Sequence, residues 1–183
     1  MPLDELVASL DQELWTEVRN AIAPIAHQRL YVLALAIGSR ATSLYVTANT
    51  EEHLQATVPA GGDLTDPYWR WDCSGDWAVI APHSLPSTNS FLAELDRSHQ
   101  AWLWSFAAEE RFERSVQTWA ELRSRLVGVF HDALLNLVGQ RVIGHGDDPP
   151  CICLLDLGDP EFTKWSAKQL SNPTSYNREF GST

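Results

Sequence analysis

The run Leu30–Ile37, LYVLALAI, is apolar at both odd and even positions. A half-exposed strand alternates, so a strand without alternation has both faces covered and lies inside a sheet with helices on either side. Residues 38–41 read as a short turn and 44–48 as a second strand, which makes a hairpin the seed of the fold.

The rest of the chain supplies the helices. Leu3, Leu6, Val7, Leu10, Leu14, Trp15, Val18 and Ile22 recur at three- and four-residue steps and mark an amphipathic helix that Pro24 closes. Asn49 is expected to cap a short helix over 50–58, with Glu52 completing a capping box. Short strands are expected over 68–72 and 77–80. Ser87 or Thr88 is expected to open a helix carrying Phe91, Leu92, Leu95, Trp102, Leu103 and Phe106. Phe112, Val116, Trp119, Leu122, Leu126, Val129, Phe130, Ala133 and Leu137 form one stripe on a long helix spanning about 108–139. After a turn over 144–150, CICLLDL reads as an interior strand, and Asp159 with Pro160 starts a last helix. The expectation is a single α+β domain over 1–172. It has a largely antiparallel sheet of about four to five strands flanked by helices, and a loose polar C-terminal tail over 173–183.

The chain has 24 acidic and 13 basic residues and a net charge of −11. That imbalance repels phosphate backbones and anionic lipid, so nucleic acid and membrane are not expected partners, and a basic protein is the natural one. Plain solubility explains acidity equally well. Cys73, Cys151 and Cys153 are an odd set, which argues against a disulfide framework and for a reducing compartment. The start, MPLDELVASLDQELW, carries acids where a signal peptide carries bases, and no apolar run approaches about 18 residues, so the expected location is cytoplasmic.

The negative charge is concentrated. Residues 61–77, GGDLTDPYWRWDCSGDW, set Trp69, Trp71 and Trp77 among Asp63, Asp66, Asp72 and Asp76, with Arg70 as the sole cation. Residues 143–161 hold Asp147, Asp148, Asp156, Asp159 and Glu161 with no lysine or arginine. Indole supplies rigid contact area and aspartate supplies field, a mixture suited to a basic partner. The expected partner-binding face is Asp63, Asp66, Asp72, Asp76 and Trp77, with Asp147 and Asp148 as a second patch. Alternate tryptophans at 69 and 71 also read as the inward face of a strand.

Chemistry-bearing clusters are weaker. His145, Asp147, Asp148, Cys151 and Cys153 are competent ligands at a spacing poor for zinc, and a C-x-C pair on a strand turns both sulfurs to one face, where cysteine serves as a small core residue. His131 and Asp132 are adjacent on a helix and so about 100° apart. No nucleophile elbow or phosphate-cradling glycine loop is present. Glu51, Glu52 and His53 are the remaining acid–base candidates, and acids in a first helical turn are equally explained by the helix dipole. No catalytic set and no cofactor is expected. A metal-dependent hydrolase built on Glu51, Glu52 and His53 or on the 145–153 group, and a housekeeping interaction module, remain as alternatives.

The order of a helix, YVLALAIG, LYVTANTEEHL, YWRWDCSGDW, a long helix and an apolar strand resembles a bacterial family of unknown function of about this length. Its most specific element is Ala48, Asn49, Thr50, Glu51, Glu52, followed by Tyr68, Arg70, Trp71 and Trp77. Such small acidic families resemble the immunity proteins of polymorphic toxin systems. The resemblance implies a protein that binds and neutralises a cognate, cytoplasm-acting toxin domain that is basic on its binding face. It brings no catalytic residues.

Overall fold

The computed structural model describes residues 3–38, 43–66, 68–72, 77–81, 83–139, 149–156 and 158–181. Helix α1 (Leu3–Ile22) runs into a single 3-10 turn (Ala23–Ile25) whose Pro24 supplies the fixed φ for the tighter winding. Strands β1 (Leu30–Ile37) and β2 (Leu44–Thr50) pair antiparallel and are followed by α2 (Glu51–Thr57), a π-helical turn (Tyr68–Asp72) and β3 (Val79–Ala81). Helices α3 (Pro86–Trp104) and α4 (Ala108–Gly139) precede β4 (Cys151–Leu155), α5 (Pro160–Leu170) and α6 (Pro173–Phe180).

The sheet order is β3-β2-β1-β4. Two of its three pairings are antiparallel, and β4 joins β1 in parallel. The non-alternating β1 is therefore an inner strand, and both of its faces are covered as its composition requires. Leu33, Leu35 and Ile37 join Leu14, Val18, Leu92, Phe130 and Leu137 in one core against α1, α3 and α4. Val32, Ala34 and Ala36 join Leu54, Trp77, Cys151, Cys153 and Ala167 in a second core on the opposite face. Phe130 lies in the first core with no exposed surface, a position where truncation to alanine costs about 3–5 kcal/mol. Cys151 and Cys153 share one face and Ile152 takes the other, as the C-x-C spacing predicts.

Several local expectations change. Residues 68–72 are a π-helical turn and not a strand. Asn49 stays in β2, and Thr50 caps α2 by accepting from the His53 amide at 3.1 Å. Glu52 does not close a capping box; its two carboxylate oxygens accept from the Arg29 amide at 3.1 and 3.0 Å. Helix α3 begins at Pro86, and a side chain from α1 covers its open end: Glu17 accepts from the Ser87 and Thr88 amides and from the Thr88 hydroxyl. Asp159 caps α5 as expected, accepting from the Phe162 amide. The segment expected to be a loose tail is α6, an ordered helix that buries Ser175 and Glu179.

Candidate functional site

The acidic segment is rooted in a buried ionic cluster on the second face of the sheet. A register shift in the β1–β2 ladder between Leu30 and Val32 puts Tyr31 in the same core as its neighbour Val32, which strict alternation forbids. The Tyr31 ring lies 4.0 Å beneath the Arg70 guanidinium, and its hydroxyl donates to the Arg70 carbonyl oxygen at 3.2 Å. Asn49 Nδ2 donates to that hydroxyl at 2.8 Å, while Asn49 Oδ1 accepts from the Thr50 and Ala78 amides. The Asn49 side chain thus ties the end of β2 to β1 and to the chain entering β3.

Arg70 fills the centre. Its Nε donates to Glu179 Oε2 at 2.8 Å and its Nη2 to Glu179 Oε1 at 2.7 Å, the fork geometry that makes arginine–carboxylate pairs strong. Nη2 also reaches Glu51 Oε1 at 3.2 Å and Nη1 reaches the Leu64 carbonyl oxygen. Arg178 Nε donates to Glu179 Oε1 at 2.7 Å. The Glu179 side chain has no exposed surface. Burial acts to lower the Arg70 pKa, and the hydrogen bonds and charge of Glu179 and Glu51 outweigh it, so Arg70 is held more firmly protonated than a free arginine. Burial also raises the Tyr31 phenol, against the opposing effects of Arg70 and Asn49, so Tyr31 is a neutral hydrogen-bonding member.

The charge consequence lies outside the cluster. Between residues 41 and 96 Arg70 is the only lysine or arginine, against Glu51, Glu52, Asp63, Asp66, Asp72, Asp76, Glu94 and Asp96. Because Arg70 turns inward to Glu179 and Glu51, it does not answer the acids at the surface. Asp63 and Asp66 are exposed on the segment leading into the π-helical turn. Asp63 accepts from the amide and hydroxyl of Thr65, and these bonds lower its pKa, side-chain contact first. Asp66 accepts from the Tyr68 amide at 2.9 Å, and the Tyr68 ring is 51% exposed beside it.

Of the sequence-predicted binding residues, Asp63 and Asp66 are therefore at the surface together. Asp72 closes the π-helical turn with its side chain outside the described set, and Asp76, Asp147 and Asp148 lie outside the described residues. Trp77 needs correcting as a surface anchor: it is 4% exposed and packs edge-on against Trp71 at 5.7 Å. Trp71 also meets Phe180 of α6 at 4.6 Å. The indoles of this segment build the core beneath the loop, and Tyr68 is the aromatic left facing out. In the second acidic stretch Asp156 is paired with Arg123 of α4 at 2.8 Å and Glu161 with Lys164 at 3.3 Å. Sequence reasoning missed Glu179 and Tyr31, whose partners lie too far along the chain for any spacing rule to join them.

No protein-family model, no curated protein and no solved structure matches the chain. Among the described residues, no helix is long and apolar enough to cross a membrane.

Proposed function

We propose that this chain is an immunity protein that binds a cytoplasm-acting bacterial toxin domain and blocks its active or substrate-binding site through an acidic surface. The observation that carries this reading is the inward turn of Arg70, which leaves Asp63 and Asp66, with Tyr68 beside them, without a cation of their own segment. Toxins that attack nucleic acids or nucleotides present basic sites, and an acidic inhibitor meets such a site as its substrate would. Field of this kind speeds encounter, and a rigid aromatic slows release. Asp72 and Asp76 continue the acidic run in sequence, and Asp147 and Asp148 are a second patch in the same reading.

The acid–base alternative draws less support. Glu51 is committed to Arg70 and Glu52 to the Arg29 amide, so both carboxylates have folding roles.

The test is binding to the polypeptide encoded immediately upstream, co-expressed and then measured by stopped-flow association over a salt series. A one-to-one complex and rescue of growth are expected. Asp63→Asn with Asp66→Asn should slow association about tenfold at low salt and flatten its salt dependence. Association that is the same in both proteins at every salt concentration refutes the assignment of this face.

A further inference from the structure

We propose that the hairpin of α3 and α4 is a self-association arm through which two copies of this chain pair. The inference is independent of the toxin reading and rests on a different surface. The apolar stripe of α4 is continuous in sequence, and the fold buries its C-terminal part, Leu126, Phe130, Ala133, Leu134 and Leu137, half-buries Trp119 and Leu122, and leaves Phe112 and Val116 exposed. Among the described residues from 93 to 125, Leu103 alone is buried. At 1.5 Å per residue the part of α4 that precedes Leu126 is about 27 Å long.

What this arm exposes is large and apolar. Phe112 is 76% exposed, Trp104 68%, Val116 61% and Trp102 43%. From the size of such side chains these four leave about 500 Å² of apolar surface. An interface of standard size takes about 800 Å² per partner, of which about 56–65% is apolar, so the apolar area these four expose is about what one partner of such an interface contributes. The rings are also braced, and so pre-ordered: Arg111 lies 3.9 Å over Trp104, and Trp102 meets Phe106 edge-on at 4.9 Å.

The charge pattern selects the occupant. From residue 93 to 125 the acids Glu94, Asp96, Glu109, Glu110, Glu113 and Glu121 face Arg97, Arg111, Arg114, Arg123 and Arg125, a net charge of −1, so −10 of the chain's −11 sits on the rest. A basic partner is drawn to that remainder more than to a nearly neutral arm. Two copies meeting by their acidic bodies repel, whereas two copies meeting by the arms bring nearly neutral surfaces together. The arm also carries both halves of a joint. Between α3 and α4 runs a groove of about 560 Å³ with Leu95, Trp102 and Leu122 in its wall beside the polar His99, Glu121 and Arg125, and Trp104 and Phe112 stand out near the tip. Knob and groove on one element satisfy a two-fold, self-complementary contact, in which each copy seats its knobs in the other.

Sedimentation velocity and light scattering of the full chain test this. A dimer is expected at about 100 µM that dissociates toward about 1 µM and is undiminished between about 0.1 and 0.5 M NaCl. Trp104→Glu with Phe112→Glu should raise the dimer dissociation constant at least about 30-fold, with circular dichroism and melting temperature unchanged because both side chains are exposed. Phe112→Gln with Val116→Gln, a milder pair, should weaken it in the same direction. A chain monomeric at every concentration overturns the proposal, as does a dimer that survives both pairs or that salt dissolves. Asp63→Asn with Asp66→Asn should remain dimeric, so failure of the arm and failure of the acidic face are told apart.

Discussion

Glu179→Gln tests the ionic cluster at its most buried member. The substitution keeps shape, removes the charge, and turns one acceptor into an amide donor facing the two arginines. Glu179 makes three short charged contacts, at 2.8 and 2.7 Å to Arg70 and at 2.7 Å to Arg178. Breaking one partner of a buried pair costs about 3–5 kcal/mol, because the surviving charge is stranded. Here Arg70 keeps Glu51 at 3.2 Å and the face of Tyr31 at 4.0 Å, which moves the expectation to the lower end, about 3 kcal/mol. Against a domain stability of about 5–15 kcal/mol that is a large fraction. Urea unfolding followed by tryptophan fluorescence measures it, with the slope unchanged and the midpoint lowered. Glu51→Gln, which leaves Arg70 its two-point contact with Glu179, should lose less than Glu179→Gln does. Arg70→Met with Glu179→Leu, which removes both charges and refills the space, should recover most of the loss. A loss below about 1 kcal/mol for Glu179→Gln, or a double variant no better than the single, refutes the claim that the cluster roots α6 and the acidic segment.

Two further outcomes are expected. Burial raises the Cys151 thiol to about 12 from 9.0, with the Ser171 hydrogen bond opposing, and burial raises Cys153 well above 9.0. In a Cys73→Ser background neither should react with a thiol reagent at pH 8 until the protein is unfolded. Because the folded thiols hold protons that the unfolded chain has released, stability should be intact below pH 9 and fall between pH 9 and 12, and a flat profile there contradicts the burial. Glu17→Ala should uncover the start of α3, which lacks a cap of its own, and lower stability by about 0.5–2 kcal/mol in thermal unfolding; an unchanged melting temperature would show that water replaces the carboxylate at no cost.

Much that depends on neighbours within a turn or two was legible in the residues alone, although the cap of α2 fell on Thr50 and residues 68–72 wound into a π-helical turn. The two-sided burial of β1, the shared face of Cys151 and Cys153, the Asp159 cap and the extent of α4 follow from periodicity and from bonds spanning three or four positions. Tertiary structure decided the rest, because it depends on which distant groups meet. Arg70 reads as the lone counter-charge to an acidic loop, and only packing reveals that Glu179, 109 positions away, takes that charge inside. Trp77 reads as a surface anchor until α6 and Trp71 build the second core around it. The stripe on α4 is written without a break from Phe112 to Leu137, and periodicity states that a face is apolar without stating what covers it. Only the placement of α1, α3 and the sheet puts the C-terminal half of that stripe in the core, half-covers Trp119 and Leu122, and leaves Phe112 and Val116 facing out.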